Sequence, residues 1–330
     1  MATTLVAPST MSPTFVTAVH RVAPDLEVVL VGNDGPIPNA AAEAQILYRS
    51  NEFRRDRVEA LLDRARSLRW VHIPFAGVDG MLSPVFQERN IAVTHAVGLY
   101  DVPVAELALA LILSTAKRLP LFAAAQHEHR WLGVQSWDNA SALPHVPAMI
   151  RDQTVGIVGL GGIGGELAAR LQPLGCRVLG MRRSGQPDPR ADAMFGPEGL
   201  PELLAESDYV VLAVPLTDRT RALIGEPEIA AMKRTAWLVN VGRGALIDDD
   251  ALIAALQEQR IGGACLDVFR REPLPAEHPY YGLPNVVLTP HVAGLFPGRT
   301  RAEIDLFVDE LRRFLRGEPF RGSVNLAQGY

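Results

Sequence analysis

Cysteine is scarce, with Cys176 and Cys265 the only two in 330 residues. Both sit inside apolar runs, with neither metal-ligand spacing nor a disulfide framework. They read as buried thiols in a reducing compartment, and a cytoplasmic location is expected. Basic excess is lacking too. With 32 Lys and Arg against 37 Asp and Glu, the formal net charge is −5. Nothing here draws the chain to nucleic acid or to an anionic membrane. The one arginine-dense stretch, FRRDRVEALLDRARSLRW at 53–70, spaces Leu and Val helically between charges of both signs, as a solvated helix face does. Long apolar runs are missing as well. The best, 102–114, is too short to span a bilayer and is interrupted by Glu106, so it reads as a buried helix. The first twenty residues lack a positive stretch followed by an apolar one, so no signal peptide is expected. No solenoid-period repeat and no low-complexity tract is present. His127 and His129 are two apart, without a cysteine or third histidine beside them. No metal site is expected.

What is present is a chain with 48% hydrophobic residues, long enough for two domains and a large core. Short apolar runs at 26–31, 44–48 and 70–73, bounded by Gly, Pro, Asn or charged residues, read as strands. A helix is expected at 59–68. The pattern is strongly helical from 104 to 119. A looser stretch follows, with Trp131, Trp137, Pro144 and Pro147. Then come strands at 153–159, 177–181, 209–214, 236–241, 263–268 and 285–288, with helices at 163–171 and 249–257. A long amphipathic helix is expected at 299–315. Strands alternating with helices imply parallel α/β sheets.

The strongest local signal is VGIVGLGGIGG at 155–165, with Gly159, Gly161 and Gly164 in G-x-G-x-x-G spacing. Alone the pattern is weak, but a strand precedes it, and a helix and a second strand follow. Gly159 permits the tight turn, Gly161 lets the backbone approach a pyrophosphate, and Gly164 lets the helix pack on the strand. The helix N-terminus then offers N–H groups and partial positive charge to the phosphates. The end of the second strand bears on cofactor choice. An acidic residue there would bond the ribose 2′-hydroxyl of NAD. Arg182, Arg183 and Ser184 stand there instead, groups that can bind a 2′-phosphate. NADP(H) is the expected cofactor, with NAD(H) possible.

Three later segments carry the chemistry: NVGRGALIDDDAL at 240–252, CLDVFRREPLP at 265–275 and NVVLTPHVAG at 285–294. In this order behind the glycine motif, they resemble the D-isomer-specific 2-hydroxyacid dehydrogenases. The resemblance implies that Arg243 binds the substrate carboxylate and polarises the carbonyl. His291 would be the general acid/base, Glu272 its hydrogen-bond partner, and Asp267 the holder of the nicotinamide carboxamide. PFAGVDG at 74–80 resembles the family's substrate loop, whose N–H groups would here belong to Ala76 and Gly77. HAVGLYDVPVAEL at 95–107 resembles its crossover into the cofactor domain. Gly162, Ile163, Val214, Pro215, Val241 and Gly242, with Arg243 and His291, complete the expected cofactor contacts. Leu295 and Phe296 depart from the smaller or polar residues usual after HVAG, which points to a more apolar substrate pocket.

The chemistry stands without the name. Hydride transfer to a ketone builds negative charge on its oxygen, and imidazole is suited to supply the proton. A carboxylate beside the ring orients it and favours imidazolium. A bidentate guanidinium fixes a 2-keto acid with one face toward the nicotinamide. The expected function is hydride transfer between NADP(H) and a small 2-keto acid or D-2-hydroxy acid, of the glyoxylate/hydroxypyruvate reductase kind. A dinucleotide-sensing corepressor or scaffold remains an alternative, since fold does not imply function. A formate dehydrogenase ranks lower, because the resemblance gives that group an amide where Glu272 is a carboxylate. The expected architecture is two Rossmann-like doubly wound domains with a cleft between them. A discontinuous substrate domain would take 1–102 and 292–330, and the cofactor domain 103–291. With the chain ending at Tyr330, no appended regulatory domain is expected. The resemblance implies a homodimer, with 122–149 as an arm wrapping its partner.

Overall fold

The computed structural model describes residues 3–133 and 146–330. In chain order the first elements are β1 (Thr4–Pro8), α1 (Pro13–Val22), β2 (Glu27–Val31), β3 (Ile46–Tyr48), α2 (Arg55–Arg64), β4 (Trp70–Ile73), α3 (Pro84–Glu88) and β5 (Ala92–His95). Then come α4 (Asp101–Ala116), α5 (Leu119–His127), β6 (Thr154–Val158), α6 (Gly162–Leu171), β7 (Arg177–Met181), β8 (Ala193–Phe195), α7 (Leu200–Glu206) and β9 (Tyr209–Leu212). The last are α8 (Glu226–Ala231), β10 (Trp237–Asn240), α9 (Asp249–Gln257), β11 (Gly263–Leu266), β12 (Val286–Leu288) and α10 (Arg299–Arg316). The chain divides into two compact units, 1–100 with 296–330, and 101–295.

In the first unit five parallel strands lie in the order β2-β1-β3-β4-β5. Every residue of β1, β3 and β4 is buried, as expected of parallel strands covered on both faces. The strand β1, TLVAP, is too short and too evenly apolar to show a period, which is why sequence reasoning passed over it. Ser12 caps α1, its Oγ accepting from Phe15 N at 3.4 Å, and Pro13 opens the helix. Phe307 of α10 stacks on Phe15 of α1 and on Trp70 of β4 at 5.3 Å between ring centroids. The helix expected at 59–68 is displaced. It begins at Arg55 and closes when Ala65 N–H donates to Leu61 O. Ala65 and Leu68 remain buried beyond its end, so apolar spacing outlasts the helix that it marks.

In the second unit seven parallel strands lie in the order β12-β11-β10-β9-β6-β7-β8. Counted from β6 this is the doubly wound dinucleotide-binding order 3-2-1-4-5-6 with one strand added. The chain reverses its direction of growth between β6 and β9, so a crevice opens where their carboxyl ends part. Helix α4 packs against α6. The helix expected at 104–119 is α4, which stops at Ala116; Arg118, with φ 56°, separates it from α5. Among the described residues no single helix is long and apolar enough to cross a membrane. Trp137, Pro144 and the middle of the expected arm lie outside the described residues.

Candidate active site

The predicted site residues of the second unit share one edge of its sheet. Gly159 follows β6, Arg182 follows β7, and Val214 and Pro215 follow β9. Val241, Gly242 and Arg243 follow β10, Asp267 follows β11, and His291 follows β12. All seven strands run parallel, so these are neighbouring carboxyl ends, where ligands of open α/β sheets bind.

At the switch point the glycines have separate mechanical reasons. Gly159 has φ 106°, and a Cβ there would stand 2.6 Å from Ala213 O and 2.8 Å from Val214 Cγ1. A Cβ on Gly164 would stand 2.2 Å from Gly159 O, so the helix rests directly on the turn. Gly161 differs, because a Cβ there would meet no protein atom within 4 Å. What its bareness keeps clear is space outside the chain. Gly161 is also the N-cap of α6, and no side chain caps that helix. Gly162 and Ile163 form its first turn. A Cβ on Gly162 would run into the carboxylate of Asp101. Pro215 O is held by the Thr220 hydroxyl at 2.7 Å.

Past β7 the structure gives Arg182 a more local role than its sequence position suggests. Its Nη2 donates to Gln186 O and Pro187 O, each at 2.8 Å, and its Nη1 to Asp188 Oδ2 at 3.3 Å. Arg183 and Ser184 are exposed on the same turn. The Arg190 guanidinium beside Asp188 holds that carboxyl well below the usual carboxylate range.

The turn after β10 is organised by a residue that sequence reasoning quoted but gave no role. Asn240 is fully buried. Its Oδ1 accepts from Gly242 N at 3.1 Å, and its Nδ2 donates to Arg243 O at 2.9 Å. The available signal was a lone amide closing an apolar strand. Arg243 is half-buried, and its Nη1 donates to Gly242 O at 2.8 Å. A Cβ on Gly244 would lie 1.9 Å from Phe269 C. Only glycine lets the arginine turn touch the backbone that leads to Glu272.

Glu272 and His291 meet. Glu272 Oε2 lies 2.6 Å from His291 Nδ1, and Oε1 accepts from Phe269 N at 2.8 Å. Each carboxylate oxygen therefore has its own donor. Nδ1 carries the hydrogen toward Glu272, and Nε2 is left for exchange with a ligand. The imidazole is 47% exposed, so its outer nitrogen is reachable. His291 has φ 54°, a left-handed conformation uncommon away from glycine. Its N–H is anchored to Asp267 O at 2.8 Å and Thr289 O at 3.0 Å.

Asp267, fully buried, is the keystone of that segment. Oδ1 accepts from Thr289 Oγ1 at 2.6 Å and from Val292 N at 3.0 Å, and Oδ2 from Ala293 N at 3.1 Å. These bonds make Asp267 a support for the backbone carrying His291. Thr289, its hydroxyl partner, was not singled out by sequence.

Ala76 and Gly77 belong to the first unit, on the loop after β4. There Ala76 O lies 2.8 Å from His95 Nδ1, and Phe75 O accepts from Ala96 N at 3.1 Å. His95 thus braces this loop, a role its sequence context did not signal. Among the described residues no group of His, Cys, Asp and Glu is arranged to hold a metal ion.

Comparison with known proteins bears on this geometry. The family model described as D-isomer specific 2-hydroxyacid dehydrogenase, NAD binding domain, matches residues 109–293. A glyoxylate reductase/hydroxypyruvate reductase of Mus musculus is 36% identical over 311 residues, which cover 92% of this chain and 92% of that protein. Among solved structures, a D-isomer specific 2-hydroxyacid dehydrogenase from Xanthobacter autotrophicus Py2, in complex with NADPH and MES, has a TM-score of 0.81 at 29% identity, covering 100% of this chain and 99% of that one. An NADPH-dependent glyoxylate/hydroxypyruvate reductase from Sinorhizobium meliloti, in complex with NADP and sulfate, has a TM-score of 0.81 at 25% identity and covers 100% of both chains.

Proposed function

This chain belongs to the D-isomer specific 2-hydroxyacid dehydrogenase family and is a nicotinamide-dependent dehydrogenase, and on that premise we propose that it reduces a small 2-keto acid of the glyoxylate or hydroxypyruvate kind, with NADPH as preferred hydride donor. The observation that carries the reading is the Glu272–His291 pair, 2.6 Å apart at the carboxyl edge of the dinucleotide-binding sheet. The cofactor fits the residues present. Gly161 leaves open space at an uncapped helix N-terminus, which suits a pyrophosphate.

A bound reduced nicotinamide supplies the hydride to the carbonyl carbon. His291 Nε2 gives its proton to the carbonyl oxygen as the C–H bond forms, and imidazolium becomes imidazole. Glu272 keeps the other ring nitrogen protonated, so that the exchanging site stays on Nε2. Arg243 binds the substrate carboxylate and draws charge from the carbonyl. In the reverse direction His291 accepts the hydroxyl proton. Asp267 is assigned to the nicotinamide carboxamide, as the family resemblance implies, with lone pairs left beyond the three hydrogen bonds that its carboxylate accepts.

NADPH preference is supported by Arg183 and Ser184 at the end of β7, and by the NADPH and NADP complexes of two similar proteins. A homodimer is supported by large apolar side chains open to solvent around the expected arm, among them Trp131 at 92%, Met149 at 59% and Leu119 at 54% exposure. The two buried cysteines are consistent with a cytoplasmic location.

The test is a panel of 2-keto acids, including glyoxylate and hydroxypyruvate, mixed with NADPH or NADH while the reduced-nicotinamide absorbance is followed. Loss of the NADPH band with at least one of them is expected. A panel that leaves both cofactors unconsumed overturns the reading.

A further inference from the structure

Between β7 and β8 the chain builds a network around one buried carboxylate. Gly185 N–H donates to Arg182 O at 3.0 Å, which closes a turn with Arg183 and Ser184 at its central positions. Gly185 has φ 61°, open to glycine at no steric cost. Behind this tip Asp188 has only 7% of its side chain exposed. Its Oδ1 accepts from Arg190 N at 3.1 Å and Arg190 Nε at 2.9 Å, and its Oδ2 from Arg190 Nη2 at 2.9 Å and Arg182 Nη1 at 3.3 Å. The Arg182 side chain thus reaches residues 186, 187 and 188, tying the end of β7 to the far side of the loop. Both hydrogens of its Nη2 are taken by carbonyls. The network also touches the phosphate-facing helix, since a Cβ on Gly165 of α6 would stand 2.0 Å from Arg190 Nη1.

We propose that Asp188 is a positioning residue for the cofactor's 2′-phosphate. It gathers Arg182 and Arg190, and so sets the turn that presents Arg183 and Ser184 to that phosphate. Arg182, which the sequence nominates as a direct contact, acts through the turn. The inference rests on the reading that NADP(H) is the cofactor. It has a sign that simple electrostatics does not share. A carboxylate near a bound phosphate repels it, and one that merely occupied Arg182 would be better removed. Only if the carboxylate holds the turn in shape does neutralising it weaken binding.

The experiment is calorimetric titration with 2′,5′-ADP and with 5′-ADP, which involves no hydride chemistry. Wild type should bind 2′,5′-ADP about tenfold or more tightly than 5′-ADP, as one charge-assisted hydrogen bond allows. Asp188→Asn should lose about tenfold toward 2′,5′-ADP and stay within about twofold toward 5′-ADP, which also reports that the domain is folded. Arg182→Ala should lose a similar factor, and the double variant no more than either single one, as for two residues of one network. Tighter or unchanged 2′,5′-ADP binding in Asp188→Asn overturns the inference, as does full additivity with Arg182→Ala. A parallel loss of 5′-ADP would make the network a support of the whole nucleotide site and overturns it too. Wild type that does not distinguish the two ligands overturns the NADP(H) reading itself.

Discussion

His72 and His291 belong to different sheets and live in opposite surroundings. His72 lies within β4, fully buried among Tyr48, Trp70 and Phe307. Its Nδ1 meets Thr94 Oγ1 at 2.9 Å, and the same oxygen accepts from Trp70 Nε1 at 2.9 Å. Burial, with a smaller push from His95, lowers its pKa to about 3. His72 is therefore a neutral core residue. His291 lies beyond the end of β12, nearly half exposed, with a carboxylate on one nitrogen and solvent within reach of the other. Residue type carries almost no information about function here. A place past a parallel strand's carboxyl end, together with a fixed carboxylate partner, carries a great deal.

The contrast breaks first at Glu272. Its two oxygens accept from two different N–H donors, and an amide can accept with only one end. Glu272→Gln must either set one donor against another or turn Nδ1 into an acceptor, and either way the ring loses its fixed tautomer. Turnover should fall on the order of 10²-fold or more, within the range for disabling an acid/base group. Steady-state kcat measured on the best 2-keto acid checks this, and a change under twofold would detach Glu272 from the chemistry.

His72 gives a smaller effect of another kind. Its folded pKa, about 3, lies below the unfolded value of about 6.5. The unfolded chain therefore binds the extra proton between those values. The stabilisation is complete above about pH 6.5 and is lost as pH falls toward 3, at a slope approaching about 1.4 kcal/mol per pH unit. Urea unfolding at a series of pH values should show this slope in wild type and a shallower one in His72→Leu. Equal slopes would mean that His72 is not the linked group. Turnover per folded molecule should barely change in that variant.

The smallest expected effect concerns the thiols. Burial pushes Cys265 up to about 12 and also raises Cys176. Neither should react readily with iodoacetamide while the chain is folded, because the thiolate is the nucleophile. Mass spectrometry should find both unmodified in the native protein and both alkylated after denaturation. Rapid native alkylation of Cys265 would contradict its burial.

Much of the second unit was legible in the sequence, because its strands announce themselves twice. Most are apolar runs that end in a segment whose polar residues have a chemical reason, as in NVGRG, LDV and TPH, whereas the half-buried three-residue β8 was not expected. Strand β7 and helix α9 fall where their patterns place them. The first unit was less legible. Its interior strand β1 has no alternation, and α1, opened by Ser12 and Pro13 with Phe15 and Val19 on its buried face, was not read from the sequence. Within the site, the sequence nominated groups for contact with ligands, Arg182 among them, although that side chain holds its own turn. The groups it missed act on the backbone: Asn240 on the arginine turn, Thr289 on Asp267, and His95 on the Ala76 loop. Such roles have no signature in spacing, because they depend on which strand ends become neighbours.

The most direct measurement compares two properties of His291→Ala. One is NADPH consumption with the best 2-keto acid, and the other is NADPH binding followed by its fluorescence. With His291 as the proton donor, consumption should fall by about 10²–10⁴-fold, while the dissociation constant stays within about threefold, because the phosphate site proposed is the Gly159–Gly164 turn. Consumption close to that of wild type, with binding intact, would contradict the assignment of His291 as the acid and, with it, the site built around Glu272.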